Sequence, residues 1–144
     1  MDLKDPQLMR SIIMDHYQYP RNRRECHDHN CKSVHMNSES CIDDIMVFVK
    51  VDKGIIKDFC FTGQACTIST ASTSILSELV KDKTLAEAKV IVDEYRKMVN
   101  LESFDSESLQ EAVAFSNIGK QANRIKCALI GWDALSQIIA ESEE

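Results

Sequence analysis

The sequence predicts a small α+β domain, strands early and helices late. Apolar alternation marks a hairpin across positions 44–61, and helical spacing of apolar residues dominates from 66 onward. Four glycines and two prolines in 144 residues leave no room for a repeat, collagen-like or low-complexity chain. That length suits one domain, 1–144, which can bury a working core without disulfide staples.

Asp5 and Pro6 open the first helix, aspartate as N-cap and proline at the first helical position. Leu8, Ile12, Ile13 and His16 share one side of it, and Pro20 blocks its continuation. The stretch 21–40 is polar and aperiodic; it reads as loop, with a short strand near Val34. In the next strand Ile45, Val47, Val49 and Val51 share one face, and Met46 and Phe48 the other. Asp52-Lys53-Gly54 is a turn signal, the return strand covers Ile55 to Phe61, and Gly63 ends the sheet. Ile68, Ala71, Ile75 and Leu79 then recur at helical spacing. Thr84 and Glu87 form a capping box ahead of a stripe of Leu85, Ala88, Val92, Tyr95 and Val99. Asn100 to Ser108 is a connection, Leu109, Ala112 and Val113 a short helix, and Ala128, Trp132, Leu135 and Ile139 the last helix.

The chain is 44% hydrophobic and 28% charged, the balance of a soluble globule, with net charge −6. Phosphate backbones repel such a chain, so nucleic acid is not expected as a partner. Arg21, Arg23 and Arg24 read as solvated surface. The N-terminus lacks a secretory layout, and apolar runs such as Ile45–Val49 are far too short to span a bilayer. A cytoplasmic chain without a membrane partner is expected. Persistent disulfides are rare there, so the six cysteines read as core residues, metal ligands or reactive thiols.

Cys41, Cys66 and Cys127 each sit at an element end, where distant parts of a chain converge. Cys66 and Cys127 open helices, whose unpaired amides favour a thiolate. Three thiolates with Asp43 would complete zinc's tetrahedral sphere, although Cys41 and Asp43 can share a metal only if the chain bends between them. A dispersed cysteine is also commonly a small buried hydrophobe, and spacing leaves both readings open. Cys60 reads as packing. Cys26, His27, His29 and Cys31 form a denser cluster, CHDHNC, whose crowding in one short loop argues against four tetrahedral corners. His16 and His35 read as structural or exposed. No glycine-rich phosphate cradle, G-x-S-x-G or H-E-x-x-H occurs.

Several segments carry a resemblance. Met14-Asp15-His16-Tyr17 with Pro20-Arg21-Asn22 resembles the opening M-D-H-Y…P-R-N of SufU proteins. Met36-Asn37 leading to Cys41 and Asp43 is similar to their first ligand segment, GQACTIS (63–69) to their G-x-G-C-x-I-S, and RIKCA (124–128) to their third. Within the IscU-like, NifU N-terminal-like group, the long separation from Cys66 to Cys127 points to the SufU branch. So does Lys126, where IscU proteins usually carry histidine.

The resemblance implies a small antiparallel three-stranded sheet packed by about five helices. It implies zinc held by Cys41, Asp43, Cys66 and Cys127, and a SufS-type pyridoxal-phosphate cysteine desulfurase as partner. Cys41 is then the ligand released to accept persulfide sulfur, with Lys126 and Arg124 in support; the position of Arg124, three residues before Cys127, suggests a pair with Asp43. The alternative is an IscU-type scaffold that builds a labile [2Fe-2S] cluster or holds iron at the same site. Such a scaffold serves apo iron–sulfur proteins or downstream cluster carriers, as a monomer or weak homodimer. A purely structural zinc domain is a third reading. Two departures stand out: Ile42 and Ala65 occupy positions where the family carries glycine, and a demand for positive φ at either would strain the ligand segments.

Overall fold

The computed structural model describes residues 5–26, 30–37 and 42–142. Helix α1 (Pro6–Gln18) starts as its cap residues dictate, Asp5 Oδ1 accepting the Gln7 N–H at 3.0 Å. Its last turn closes through Tyr19 N–H to Asp15 O at 2.9 Å, just ahead of Pro20.

Three antiparallel strands follow in spatial order β1-β2-β3: β1 (Cys31–Asn37), β2 (Asp44–Asp52) and β3 (Ile55–Gln64). The β2–β3 turn places Lys53 at φ 53 and Gly54 at φ 77, the left-handed pair that suits strand twist in a tight hairpin. Ile45, Val47 and Val49 are buried on the inner face beside Val34, Phe59 and Phe61. Val51, expected on that face, is half-buried because the register shifts between Lys50 and Val51. β1 is longer than its sequence suggests. Val34 is its one buried residue, so little apolar alternation advertises it, and the ladder to β2 defines it instead. Gly63 does not end the sheet: it pairs with Ile45 inside β3.

Helix α2 (Thr67–Leu79) is buried almost all round and lined with small hydroxyl residues. Helix α3 (Leu85–Val99) carries the expected capping box, Glu87 N–H to Thr84 Oγ1 at 3.1 Å and Thr84 N–H to Glu87 Oε1 at 3.0 Å. Helix α4 (Ser106–Leu109) and 3-10 turns over Gln110–Phe115, Ile118–Lys120 and Ala122–Arg124 lead into α5 (Ile125–Ser142). Where one short helix was expected around Leu109, the chain changes pitch at Gln110, whose φ is 48.

Helices α2, α3 and α5 meet at Ser72. Its hydroxyl donates to Ala128 O at 2.7 Å and accepts the Trp132 Nε1–H at 2.8 Å. Tyr95 donates to the same carbonyl at 2.9 Å and stacks on Trp132 with ring centroids 3.6 Å apart. Ser72→Ala strands a buried indole N–H, so urea unfolding should show a loss of about 1–3 kcal/mol. A midpoint equal to wild type would contradict this hydrogen-bond account.

His16 pins α1 to the rest of the fold. It is 3% exposed, with Nδ1 2.8 Å from Ser74 Oγ and Nε2 3.4 Å from Glu111 Oε2. Burial, reinforced by the Arg21 cation, holds its pKa below the ordinary imidazole value, against the opposing pull of Glu111 and Asp15. The unfolded chain therefore binds this proton first on acidification. The contribution of neutral His16 is whole above the unfolded value, near 6.5, and drains away as pH falls from there through the lower folded value. The stability difference between pH 7.5 and 5.5 should shrink in His16→Asn; an unchanged difference would assign the acid sensitivity elsewhere.

Candidate metal centre

Asp43 immediately precedes β2, Cys66 is the N-cap of α2, and Cys127 lies in the first turn of α5. The hairpin brings the first two together, because Asp44 pairs with Gln64 and the residues just outside that pair must lie close. Packing of α5 on α2 adds the third. One ligand atom from each of Asp43, Cys66 and Cys127 lies within 4.8 Å of the others. Tetrahedral zinc with bonds of about 2.0–2.3 Å needs ligand separations of roughly 3.5–3.8 Å. A modest inward movement of side chains covers the difference, and two thiols with a carboxylate are a donor set zinc accepts.

The carboxylate is built in. Asp43 is 1% exposed; its Oδ1 accepts the Cys66 N–H at 2.8 Å, and its Oδ2 accepts the Ser69 hydroxyl. Ser69 Oγ also lies 3.0 Å from Cys127 O and 3.4 Å from Cys66 Sγ, so this one buried hydroxyl touches all three residues. The Ser69 N–H points at Cys66 Sγ from 3.5 Å, as an N3 amide points at a capping side chain. The positive end of α2 thus faces the sulfur, an arrangement that favours an anionic ligand. Sequence reasoning overlooked Ser69, although its place three residues after a helix-opening cysteine was the available signal.

The other expected site residues are placed as follows. Cys41, like His27 and His29, falls outside the described residues. Arg124 and Lys126 are exposed, and among the described residues Arg124 forms no ion pair with Asp43, which accepts from the Cys66 N–H and the Ser69 hydroxyl. Ala65 has no positive φ; the left-handed angle falls at Gly63, φ 115. Ile42 is 70% exposed. His35 is exposed and contacts the Asp44 carboxylate. Cys60 is 1% exposed, and burial pushes its thiol pKa up, as suits a packing residue. Cys26 and Cys31 correct the expectation of free thiols: their Cα atoms are 6.6 Å apart, within disulfide reach, and they form a disulfide. Bonded to each other, they offer no thiolate to a metal.

Beside Cys66 opens a groove of about 730 Å³, walled by Met9, Ile13 and Met14 of α1, by Ile42, and by Phe115. Among the described residues, its charged lining is Arg10 and Arg124, with no acid. On a chain of net charge −6, this is a local cationic approach to the cluster.

The fold and this cluster point to one family. The NifU-like N terminal domain model matches residues 8–143, and the chain belongs to that family. It is 35% identical over 137 residues to the zinc-dependent sulfurtransferase SufU of Bacillus subtilis (strain 168), covering 94% of this chain and 92% of the relative. It is 33% identical over 136 residues to the iron–sulfur cluster assembly scaffold protein IscU of Streptococcus pyogenes serotype M1, covering 94% and 84%. A crystal structure of a putative iron–sulfur cluster assembly scaffold protein for the SUF system, from Fervidobacterium islandicum AW-1, superposes with a TM-score of 0.80 at 28% identity. That match covers 88% of this chain and 92% of the other. No described helix is long and apolar enough to cross a membrane.

Proposed function

We propose that this chain serves iron–sulfur cluster assembly as a SufU-type sulfur-transfer protein. It binds zinc through Cys41, Asp43, Cys66 and Cys127 and accepts persulfide sulfur from a pyridoxal-phosphate cysteine desulfurase. The observation that carries the reading is the convergence of Asp43, Cys66 and Cys127 from three separate elements, with a buried serine bridging them. The similarity to a zinc-dependent sulfurtransferase supports the choice of metal.

Bound zinc would hold the thiols deprotonated and keep the four side chains in one shell. Asp43, Cys66 and Cys127 hold the site, fixed by Ser69 and the α2 amides. Cys41 is the acceptor: its thiolate attacks the terminal sulfur of the donor persulfide, the donor S–S bond breaks, and the donor cysteine leaves as thiolate. Cys41 then carries the –SSH group, and no net electrons are transferred. The groove lined by Arg10 and Arg124 gives a partner's acidic, partly apolar segment a way in.

The test is metal content of natively purified protein by plasma mass spectrometry, for wild type and Cys66→Ser. About one zinc per chain, lost in the variant, is expected. No metal in either protein would sink the four-ligand site. A second reading, a scaffold that builds a cluster on the same side chains, is favoured by the IscU relative. Iron with acid-labile sulfide would select it, whereas alanine production by the desulfurase, stimulated by this chain, would select sulfur transfer.

A further inference from the structure

We propose that Cys26 and Cys31 form a second sulfur site, a thiol–disulfide exchange centre that takes a dithiol as its reactant and works apart from Asp43, Cys66 and Cys127. Both residues are half-buried, so the bond between them is open to attack from solvent. Strand register fixes where it lies. Cys31 stands opposite Lys50 at one end of β1, whereas Asn37 stands opposite Asp44, next to Asp43, at the other. The intervening strand spans roughly 20 Å. Val34 faces the core, so alternation puts Cys31 on the outer face of the sheet.

The bond is not what holds this region together. It joins residues five apart, and so short a loop constrains the unfolded chain least. The segment before Cys26 has its own anchors. Arg21 N–H donates to Ser74 Oγ at 2.8 Å, Phe61 N–H to Asn22 O at 3.1 Å, and Arg24 to both Asp58 oxygens at 2.7 Å. Beyond Cys31 the β1–β2 ladder takes over. Opening the disulfide therefore leaves both flanks seated.

In the exchange, a thiolate of the dithiol attacks one sulfur, the Cys26–Cys31 bond breaks, and the departing cysteine thiolate takes up a proton. The reagent's second thiol then resolves the mixed disulfide. Two electrons pass to the protein, the reagent leaves as its cyclic disulfide, and the reverse reaction restores the pair.

Full-length protein is equilibrated at graded ratios of reduced to oxidised dithiothreitol, trapped natively with an alkylating reagent and digested with trypsin. Cleavage after Arg24 and Lys32 places both cysteines on one peptide, residues 25–32. That peptide should pass from disulfide to doubly alkylated in a single two-electron transition, while buried Cys60 stays unmodified and circular dichroism is unchanged. Double alkylation at every ratio would show that no disulfide forms in the folded chain and overturn the proposal. So would reduction that occurs only together with modification of Cys60, since the bond would then open only on unfolding. The variant Cys26→Ser/Cys31→Ser should keep wild-type metal content; loss of metal would overturn the independence of the two sites.

Discussion

Gly63→Ala is expected to destabilise the chain by about 3–5 kcal/mol and to lower metal occupancy in whatever remains folded. Two costs coincide at this residue. Its φ of 115 lies where L side chains are strained, by about 1–3 kcal/mol. A Cβ would also lie 2.2 Å from Asp44 O and 2.9 Å from Ile45 Cα, and both are backbone atoms that no rotamer change can clear. Relief requires β3 to part from β2 at the Ile45–Gly63 pair. Asp43 and Cys66 lie just beyond that pair, so the same movement separates two of the candidate ligands. Against a typical stability of about 5–15 kcal/mol the loss is large enough to read directly in urea. Gly54→Ala is the control. Its φ is also positive, 77, but a Cβ there meets nothing within 4 Å, so only the angular cost of about 1–2 kcal/mol should appear. Equal midpoints for the two variants would show that close approach at Gly63 is not what matters.

What could be read from the residues was local or strongly periodic. Asp5-Pro6, the Thr84–Glu87 box and the Asp52-Lys53-Gly54 turn each act within a few residues, and each appears as expected. Ile45, Val47 and Val49 betray a buried face by alternation alone. The full extent of β1 is invisible for the opposite reason, since an edge strand with one buried residue owes its existence to its neighbour. The 3-10 turns between Gln110 and Arg124 bury Ala112, Val113 and Phe115 without any sustained helical period. At the site, the resemblance nominated Asp43, Cys66 and Cys127, and the hairpin register explains why the first two are neighbours. The place of Ser69 three residues after Cys66 hinted at the local contact alone; its bridge to Asp43 and Cys127, 26 and 58 positions away, leaves no mark on either segment. The Arg124–Asp43 pair was suggested by the distance from Arg124 to Cys127 along the chain, and among the described residues it does not form: Arg124 lines the groove, while the Cys66 N–H and the Ser69 hydroxyl donate to Asp43.

Asp43→Asn should lower zinc affinity by about two orders of magnitude or more while leaving stability within about 1 kcal/mol of wild type. The amide preserves the shape and most of the hydrogen bonding. Its carbonyl still accepts the Cys66 N–H, and its NH₂ can donate to Ser69 Oγ, which then turns its own hydrogen to Cys127 O. What disappears is the negative charge, held at 1% exposure and within 4.8 Å of the Cys66 and Cys127 sulfurs. A buried carboxylate is costly unless something cationic or strongly donating repays it, and a divalent metal does so most fully. Asp43→Ala is the harsher companion: it leaves the Cys66 N–H without its carboxylate acceptor, for a further loss of about 1–3 kcal/mol. Competition against a chromophoric zinc chelator measures affinity, and urea unfolding of the metal-free proteins measures stability. Asn with wild-type affinity would mean that Asp43 serves only to cap Cys66 and seat Ser69, leaving the metal to the cysteines. Weakened binding by Asn with the fold intact would place the carboxylate in the metal's own shell.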